Sequence, residues 1–250
     1  MATKTLLQIT QDILSDMNGD SVNSITDTEE AEQVARIVIS VFDNIVAKET
    51  WNIHRTGITL TGSGDSNKPT HMTLPSNVKQ LLSVHYDTRK NGVTKKQFTE
   101  IKWKEPDDFL RLLNTRDSTA STTQTVTDTS GITLLIRNDK APEYFTSIDD
   151  ETLIFDSFDS AVDSTLQTNK TQGLAYILPT LAFSNDAIPD LPNDAMRYLI
   201  EEATSRAQYK LREFQDLNSE AEAAHQRRTM SRKAWKTNKP SRYPDYGRKR

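Results

Sequence analysis

Apolar residues recur at three- and four-residue steps at both ends of the chain, and at two-residue steps through its middle. Leu6, Leu7, Ile9, Ile13, Leu14 and Met17 fit a helix over Thr3–Asn18, stopped by Gly19. Thr26-Asp27-Thr28-Glu29 has capping-box spacing and predicts a second helix running to about Lys48. Ala31, Val34, Ala35, Val38, Val41, Phe42 and Ile45 form one stripe of it. Ile37 and Ile39 widen that surface, so the helix is expected to be buried on more than one side and to pair with the first.

From Trp51 the period shortens to two. Strands are expected over Ile53–Leu60, Val78–Tyr86 and Phe98–Lys104, with a turn at Asn91-Gly92. Pro106-Asp107-Asp108 opens a short helix containing Phe109, Leu110, Leu112 and Leu113. Thr115–Ser130 holds ten Ser/Thr among sixteen residues, with Val126 its one large apolar side chain; it reads as an exposed loop that buries too little to offset its ordering entropy. Strands resume at Ile132–Ile136, Tyr144–Ile148 and Thr152–Phe155, with a turn at Asp149-Asp150. A polar excursion, Asp156–Gly173, precedes a strand at Leu174–Leu178. Pro189-Asp190-Leu191-Pro192 then ends the β region, and Asn193 is a natural N-cap. Met196, Leu199, Ile200, Ala203, Ala207, Leu211 and Phe214 keep helical spacing, continued more weakly through Leu217, Ala221 and Ala224 towards Trp235. One helix of about 40 residues, roughly 60 Å long, fits this stretch; a break near Asn218-Ser219 is the alternative.

These elements predict an α+β fold: an α-helical bundle, made of the N-terminal helix pair and a long C-terminal helix or arm, with an inserted antiparallel β domain. The expected divisions are 1–52 with 184–225 for the bundle, 53–183 for the β-rich domain and 226–250 for a C-terminal arm. At 250 residues the chain is long enough for a sizeable core. Its apolar fraction of 35% lies below the roughly 45–50% of average globular domains, so an extended, surface-rich molecule is expected. No apolar run reaches the about 18 residues of a membrane span. The first residues, broken by Gln8, Thr10, Gln11 and Asp12, do not read as a signal peptide.

Charge changes the picture most. Residues 226–250 carry ten Lys/Arg against the single Asp245, a net +9, so the other 225 residues carry −13. The basic end is either an arm that binds something acidic or a solvated terminus. It interleaves Trp235, Tyr243 and Tyr246 with cations, a mixture suited to nucleic acid or to a protein interface.

Chemistry is sparse elsewhere. The absence of cysteine excludes disulfides, thiolate zinc sites and Cys nucleophiles. His54, His71, His85 and His225 show no paired metal spacing. Gly62-Ser63-Gly64 lacks the Lys-Ser/Thr of a phosphate loop, and no G-x-S-x-G occurs. Asp149, Asp150, Glu151, Asp156, Asp159 and Asp163 read as solvated acids at turns and strand ends. No catalysis, cofactor or metal is therefore expected, with a glycosidase-like carboxylate pair as the enzymatic alternative.

The segment Ile154-Phe155-Asp156-Ser157-Phe158-Asp159-Ser160-Ala161-Val162-Asp163-Ser164-Thr165-Leu166-Gln167, the later Pro179, and Ile188-Pro189-Asp190-Leu191-Pro192 before a long Ala- and Arg-bearing helix resemble head-to-tail adaptors of short-tailed phages. So does the order of parts: a helix pair, Trp51-Asn52-Ile53 entering a β domain with Gly57-Ile58-Thr59-Leu60, and a helical arm. The resemblance, to the tail tubular protein A family, spans nearly the whole chain; its most specific part is Phe155–Gln167 with the Pro-Asp-Leu-Pro turn, and the remainder is pattern. This resemblance implies a structural virion protein of the tail or neck: a dodecameric ring joining the portal protein to a tail nozzle of the tail tubular protein B type, and to tail fibres. The ring would enclose a channel through which genomic DNA passes without sequence-specific binding. It also implies an arm that clasps the portal. The residues here that suit that role are Arg227, Arg228, Arg232, Lys233, Trp235, Lys236, Arg242, Tyr243 and Tyr246. A tail-associated muralytic or saccharide hydrolase is the alternative function. Part of the acidic charge is expected to line the channel, where like charge keeps passing DNA from sticking.

Overall fold

The computed structural model describes residues 4–48, 50–128, 130–149, 151–213 and 217–237, with the backbone alone for 194, 218 and 229–237. Five α-helices occur among them: α1 (Leu6–Asp16), α2 (Glu29–Lys48), α3 (Pro106–Asn114), α4 (Asn193–Arg212) and α5 (Leu217–Thr237). The strands are β1 (Arg55–Ile58), β2 (Thr61–Gly62), β3 (His71–Thr73), β4 (Val78–Asp87) and β5 (Phe98–Trp103). They continue with β6 (Thr123–Thr127), β7 (Thr133–Arg137), β8 (Tyr144–Ser147), β9 (Thr152–Phe155) and β10 (Thr171–Ile177).

The expected fold class is corrected. The chain is mixed α/β, dominated by one curled eight-stranded sheet of order β1-β10-β4-β5-β8-β9-β3-β2, rather than a helical bundle with a smaller inserted β domain. Nor is the sheet purely antiparallel, because Lys102 and Trp103 of β5 pair in parallel with Tyr144 and Phe145 of β8. Short strands such as β2 and β3 show too few alternations to be read from residue pattern. The pairing of β10 between β1 and β4 joins positions more than 80 residues apart, which no local signal encodes. By contact the chain forms two units, Arg55–Ile177 and the segments on either side of it.

The helical unit is built by burying one stripe of each helix. Leu6, Ile9, Ile13 and Leu14 of α1 pack with Val34, Val38, Val41 and Phe42 of α2 and Leu199, Ala203 and Ala207 of α4. Each large side chain removed from water contributes about 1.5–3 kcal/mol, and the alanines bring the backbones close. Thr5 caps α1, accepting from the Gln8 amide (3.3 Å) while the Gln8 side chain accepts from the Thr5 amide (3.0 Å). Two first-turn amides, of Leu6 and Leu7, donate to the carbonyls of Ala187 (2.7 Å) and Asn185 (3.3 Å), so the segment before α4 seals the start of α1. Thr28, rather than Thr26, caps α2 by accepting from the Ala31 amide at 3.1 Å. Asn193 is the first residue of α4 and not its cap; the Pro192 carbonyl accepts from Ala195 and Met196.

The single long C-terminal helix expected from spacing is two helices. Glu213 adopts a left-handed conformation (φ 55°) that ends α4, a few residues before the break considered at Asn218-Ser219. That conformation costs a non-glycine residue about 1–2 kcal/mol. Folding back offsets it: α5 packs on α4, Ala223 is buried in the helical core, and Arg197 pairs with Glu222 at 3.2 Å.

In the β unit, the Ser/Thr-rich stretch expected to be a loop contains β6, which forms a hairpin with β7 from Thr123↔Arg137 to Thr127↔Thr133. Threonine is β-branched and suits a pleated strand, and Val126 supplies the buried anchor. The polar excursion is likewise part of the core. Ser157, Phe158, Thr165 and Leu166 are buried, and the Leu166 amide donates to Pro69. β2 runs so close to this segment that a Cβ on Gly62 would lie 2.5 Å from the Leu166 carbonyl oxygen, a position only glycine accommodates.

Asp156 is the correction with the largest consequence. Read as a solvated acid, it is fully buried at the end of β9. Its Oδ1 accepts from the amides of Glu143 and Tyr144, both at 2.9 Å, and its Oδ2 from the Arg116 guanidinium at 2.8 Å. Arg116 also donates to the carbonyls of Asp156 (2.5 Å) and Leu135 (3.0 Å). One ion pair thus ties β9 to β7, to the entry of β8 and to the residues after α3. Breaking a buried pair strands the surviving charge, so Asp156→Asn and Arg116→Met should each lower unfolding free energy by about 3–5 kcal/mol. The double variant should cost less than the sum. Urea denaturation of all four proteins checks this; single-variant losses under about 1 kcal/mol, the range of surface pairs, would contradict it.

Candidate interaction surface

The nine residues proposed for the basic arm are distributed along and beyond α5. Arg227 and Arg228 are exposed, and Arg227 shares a shallow pocket with Lys48 of α2 and Tyr198, Glu202 and Arg206 of α4. Arg232, Lys233, Trp235 and Lys236 occupy backbone positions on the last turns of α5. Positions 228, 232 and 236 recur every four residues, which places them along one helical stripe. Arg242, Tyr243 and Tyr246 lie outside the described residues. Midway along α5, the Gln226 side chain donates to Glu222 (2.9 Å); with the Arg197 and His225 charges this holds the Glu222 carboxyl below its ordinary pKa despite some desolvation.

The division into units locates the acidic charge. Residues 55–177 hold 14 Lys/Arg and 16 Asp/Glu, whereas 1–54 together with 178–225 hold 7 and 18. The acid therefore belongs to the helical unit, the same unit that carries the basic arm. Glu29, Glu30 and Glu32 gather in the first turn of α2, where the helix dipole favours them. Glu32 pairs with Arg36 at 2.7 Å and Glu30 with Arg212 at 2.8 Å.

Two titratable clusters occupy the β unit. In the first, burial acts to raise the Asp87 pKa, but the amides of Gln97 (3.0 Å) and Arg89 (3.2 Å), with the Arg89 and Lys170 charges, outweigh it and hold the carboxyl below its usual value. Burial pushes the neighbouring Tyr86 phenol up to about 12, and its oxygen accepts from the Gln167 amide at 3.1 Å. Lys170 pairs with Asp163. The cavity among these groups is about 20 Å³, room for roughly one water and no substrate. The second cluster is His71, buried on β3, whose Nε2 donates to the Asp128 carboxylate at 3.1 Å; its Nδ1 has no partner among the described residues. Desolvation drives the His71 pKa below 6.5 against the raising effect of Asp128.

Among the carboxylates weighed for hydrolysis, Asp156 is saturated by structural hydrogen bonds. Asp149 caps its turn by accepting from the amides of Glu151 (3.1 Å) and Thr152 (2.7 Å). Asp163 is neutralised by Lys170. Asp150 lies outside the described residues. Within those residues no three His, Cys, Asp or Glu side chains gather to hold a metal ion, and no helix is long and apolar enough to cross a membrane. The burial of Asp156 had one signal in the sequence, its place among Leu153, Ile154, Phe155 and Phe158. The His71–Asp128 contact had none, because it joins residues 57 positions apart.

No protein-family model matches the chain, and no curated protein matches it.

The His71 pair makes a signed prediction. A histidine whose folded pKa lies below 6.5 takes up its proton more readily once unfolded, so its effect on stability is constant above pH 6.5. Stability should fall as pH drops from 6.5 through the lowered folded value. Lys68, Asp128 and Asp149 are the charges around it. His71→Gln should flatten the difference in urea midpoint between pH 7.5 and 5.5; an unchanged slope would contradict the assignment.

Proposed function

We propose that the chain is a structural head-to-tail adaptor of a short-tailed phage virion, a dodecameric ring that joins the portal to the tail nozzle and fibres and encloses the DNA channel. It acts by binding, without catalysis. The observation that carries this reading is the opposition of charge within one unit: an acidic helical body followed by a basic, aromatic-bearing segment that begins on α5. Such an arm can reach a neighbouring protein, offering Arg forks to carboxylates and Trp235 as an anchor. The acidic body in turn suits the wall of a passage for DNA, where like charge prevents adhesion. The similarity of Ile154–Gln167 and of the Pro-Asp-Leu-Pro turn to adaptor sequences supports the same assignment.

Removal of residues 226–250 tests the proposal. Ala223, buried in the helical core, is retained, so the truncated protein should melt within about 2–4 °C of the full chain. Co-sedimentation with portal should be lost, because interface hot spots cost about 2 kcal/mol or more each, some thirtyfold in affinity, and a ring multiplies the effect. Raising salt should weaken docking of the full chain in the same direction. A truncated protein that melts normally and still binds portal would exclude the arm as the docking element.

A further inference from the structure

The eight-stranded sheet forks. β4 is ten residues long, yet its ladder with β5 spans only Val84–Asp87 against Phe98–Ile101. At Lys102 β5 leaves β4 and pairs with β8 instead. The other edge of β4 remains joined to β10, where Gln80, Leu81 and Ser83 face Tyr176, Ala175 and Leu174, with Leu82 as the extra residue of a bulge. Between Gln80 and Ser83 the edge facing the fork therefore has no strand beside it among the described residues. The fork opens into a groove of about 770 Å³, lined by Leu81 and Leu82 on one side and by Trp103, Phe145 and Leu153 on the other. Leu82 is 41% exposed and Trp103 47% exposed, unusual for large apolar side chains on a sheet that is otherwise well packed.

We propose that this groove takes an extended segment of another protein as an added β-strand, apolar at alternate positions and flanked by carboxylates. An open strand edge supplies backbone hydrogen bonds, and the apolar floor supplies pockets for every second side chain. Left empty, the same edge is an aggregation liability, which gives it a reason to be covered. Charge selects the occupant. Lys102 lines the groove, where Glu100 is the one carboxylate among the lining residues, and Lys104 lies beyond, its ammonium 4.9 Å from the Tyr144 ring centroid. The chain's own basic end would be repelled by these lysines, whereas an acidic flank would be held. Size also selects it. The open edge, four residues at about 3.3 Å each, has the length of one short strand.

The test is selection of short random peptides on the full-length protein, followed by hydrogen exchange with the enriched peptide resynthesised. The enriched sequences should alternate apolar and polar residues and carry Asp or Glu at their ends. Binding should slow exchange of the Gln80–Ser83 amides about tenfold or more. Leu82→Glu, at an exposed position, should leave the melting temperature unchanged and weaken peptide binding at least about tenfold. Lys102→Glu should shift the selected flanks from acidic to basic. Failure to enrich any peptide, enrichment without alternation, or protection away from Gln80–Ser83 would overturn the proposal. If the protein alone dimerises with those amides protected, and Leu82→Glu abolishes this, the occupant is a second copy and the partner assignment is wrong. Because these readouts need no portal, they stand or fall separately from the adaptor reading.

Discussion

The Arg116–Asp156 pair holds the β unit together. A carboxylate without water is tolerable only when its lone pairs and charge are met, and here two amides and a guanidinium meet them. Those donors come from two separate chain segments: the residues following α3, and the Glu143-Tyr144 entry to β8. Arg116 extends the junction to β7 through the Leu135 carbonyl. Phe109, Leu113, Leu134, Ile136, Phe145 and Phe155 belong to the hydrophobic core of the same unit. Hydrophobic burial supplies the bulk of the stabilisation, but it is non-directional; the buried ion pair fixes which segments meet. The β5–β8 parallel pair is only two residues long and lies beside this junction, and the fork in the sheet follows from it.

The helical unit solves a different problem. Its core is mainly aliphatic residues and alanines, with Phe42 and Trp51, and many of its polar requirements arise at helix ends. Thr5, Thr28 and the carbonyls of Asn185, Ala187 and Pro192 meet them. Its surface is dominated by carboxylates, some neutralised locally by Arg36, Arg206 and Arg212. A surface of that sign is soluble and self-repelling, and copies of it crowd together only where basic partners offset the charge. The basic segment that begins on α5 provides such an offset within the same chain. In the adaptor reading that segment meets acidic ground on the portal, and the acid of the body faces DNA.

Helices α1 to α4 were legible in the sequence because a 3.6-residue period persists through them, and the Pro-Asp-Asp opening of α3 was explicit. Their caps were less so: two threonines precede the start of α2, and only the backbone decides that Thr28 is the one used. The break at Glu213 carries no glycine or proline, so it depends on what α5 gains by packing, a tertiary quantity. In the β unit most strands announced themselves by alternation, but their order did not, since β10 must travel to lie between β1 and β4. β6 was hidden by composition, because threonine serves loops and strands alike. Of the functional features, the charge run of the arm was plain in the sequence. The groove was invisible there, because it exists only where one strand leaves another.

Electron microscopy of the purified chain with portal protein addresses the central claim most directly. The account predicts rings of this protein seated on one face of the portal, with a continuous axial channel through both. Monomers that leave the portal bare, at protein concentrations where the chain is folded, would contradict it.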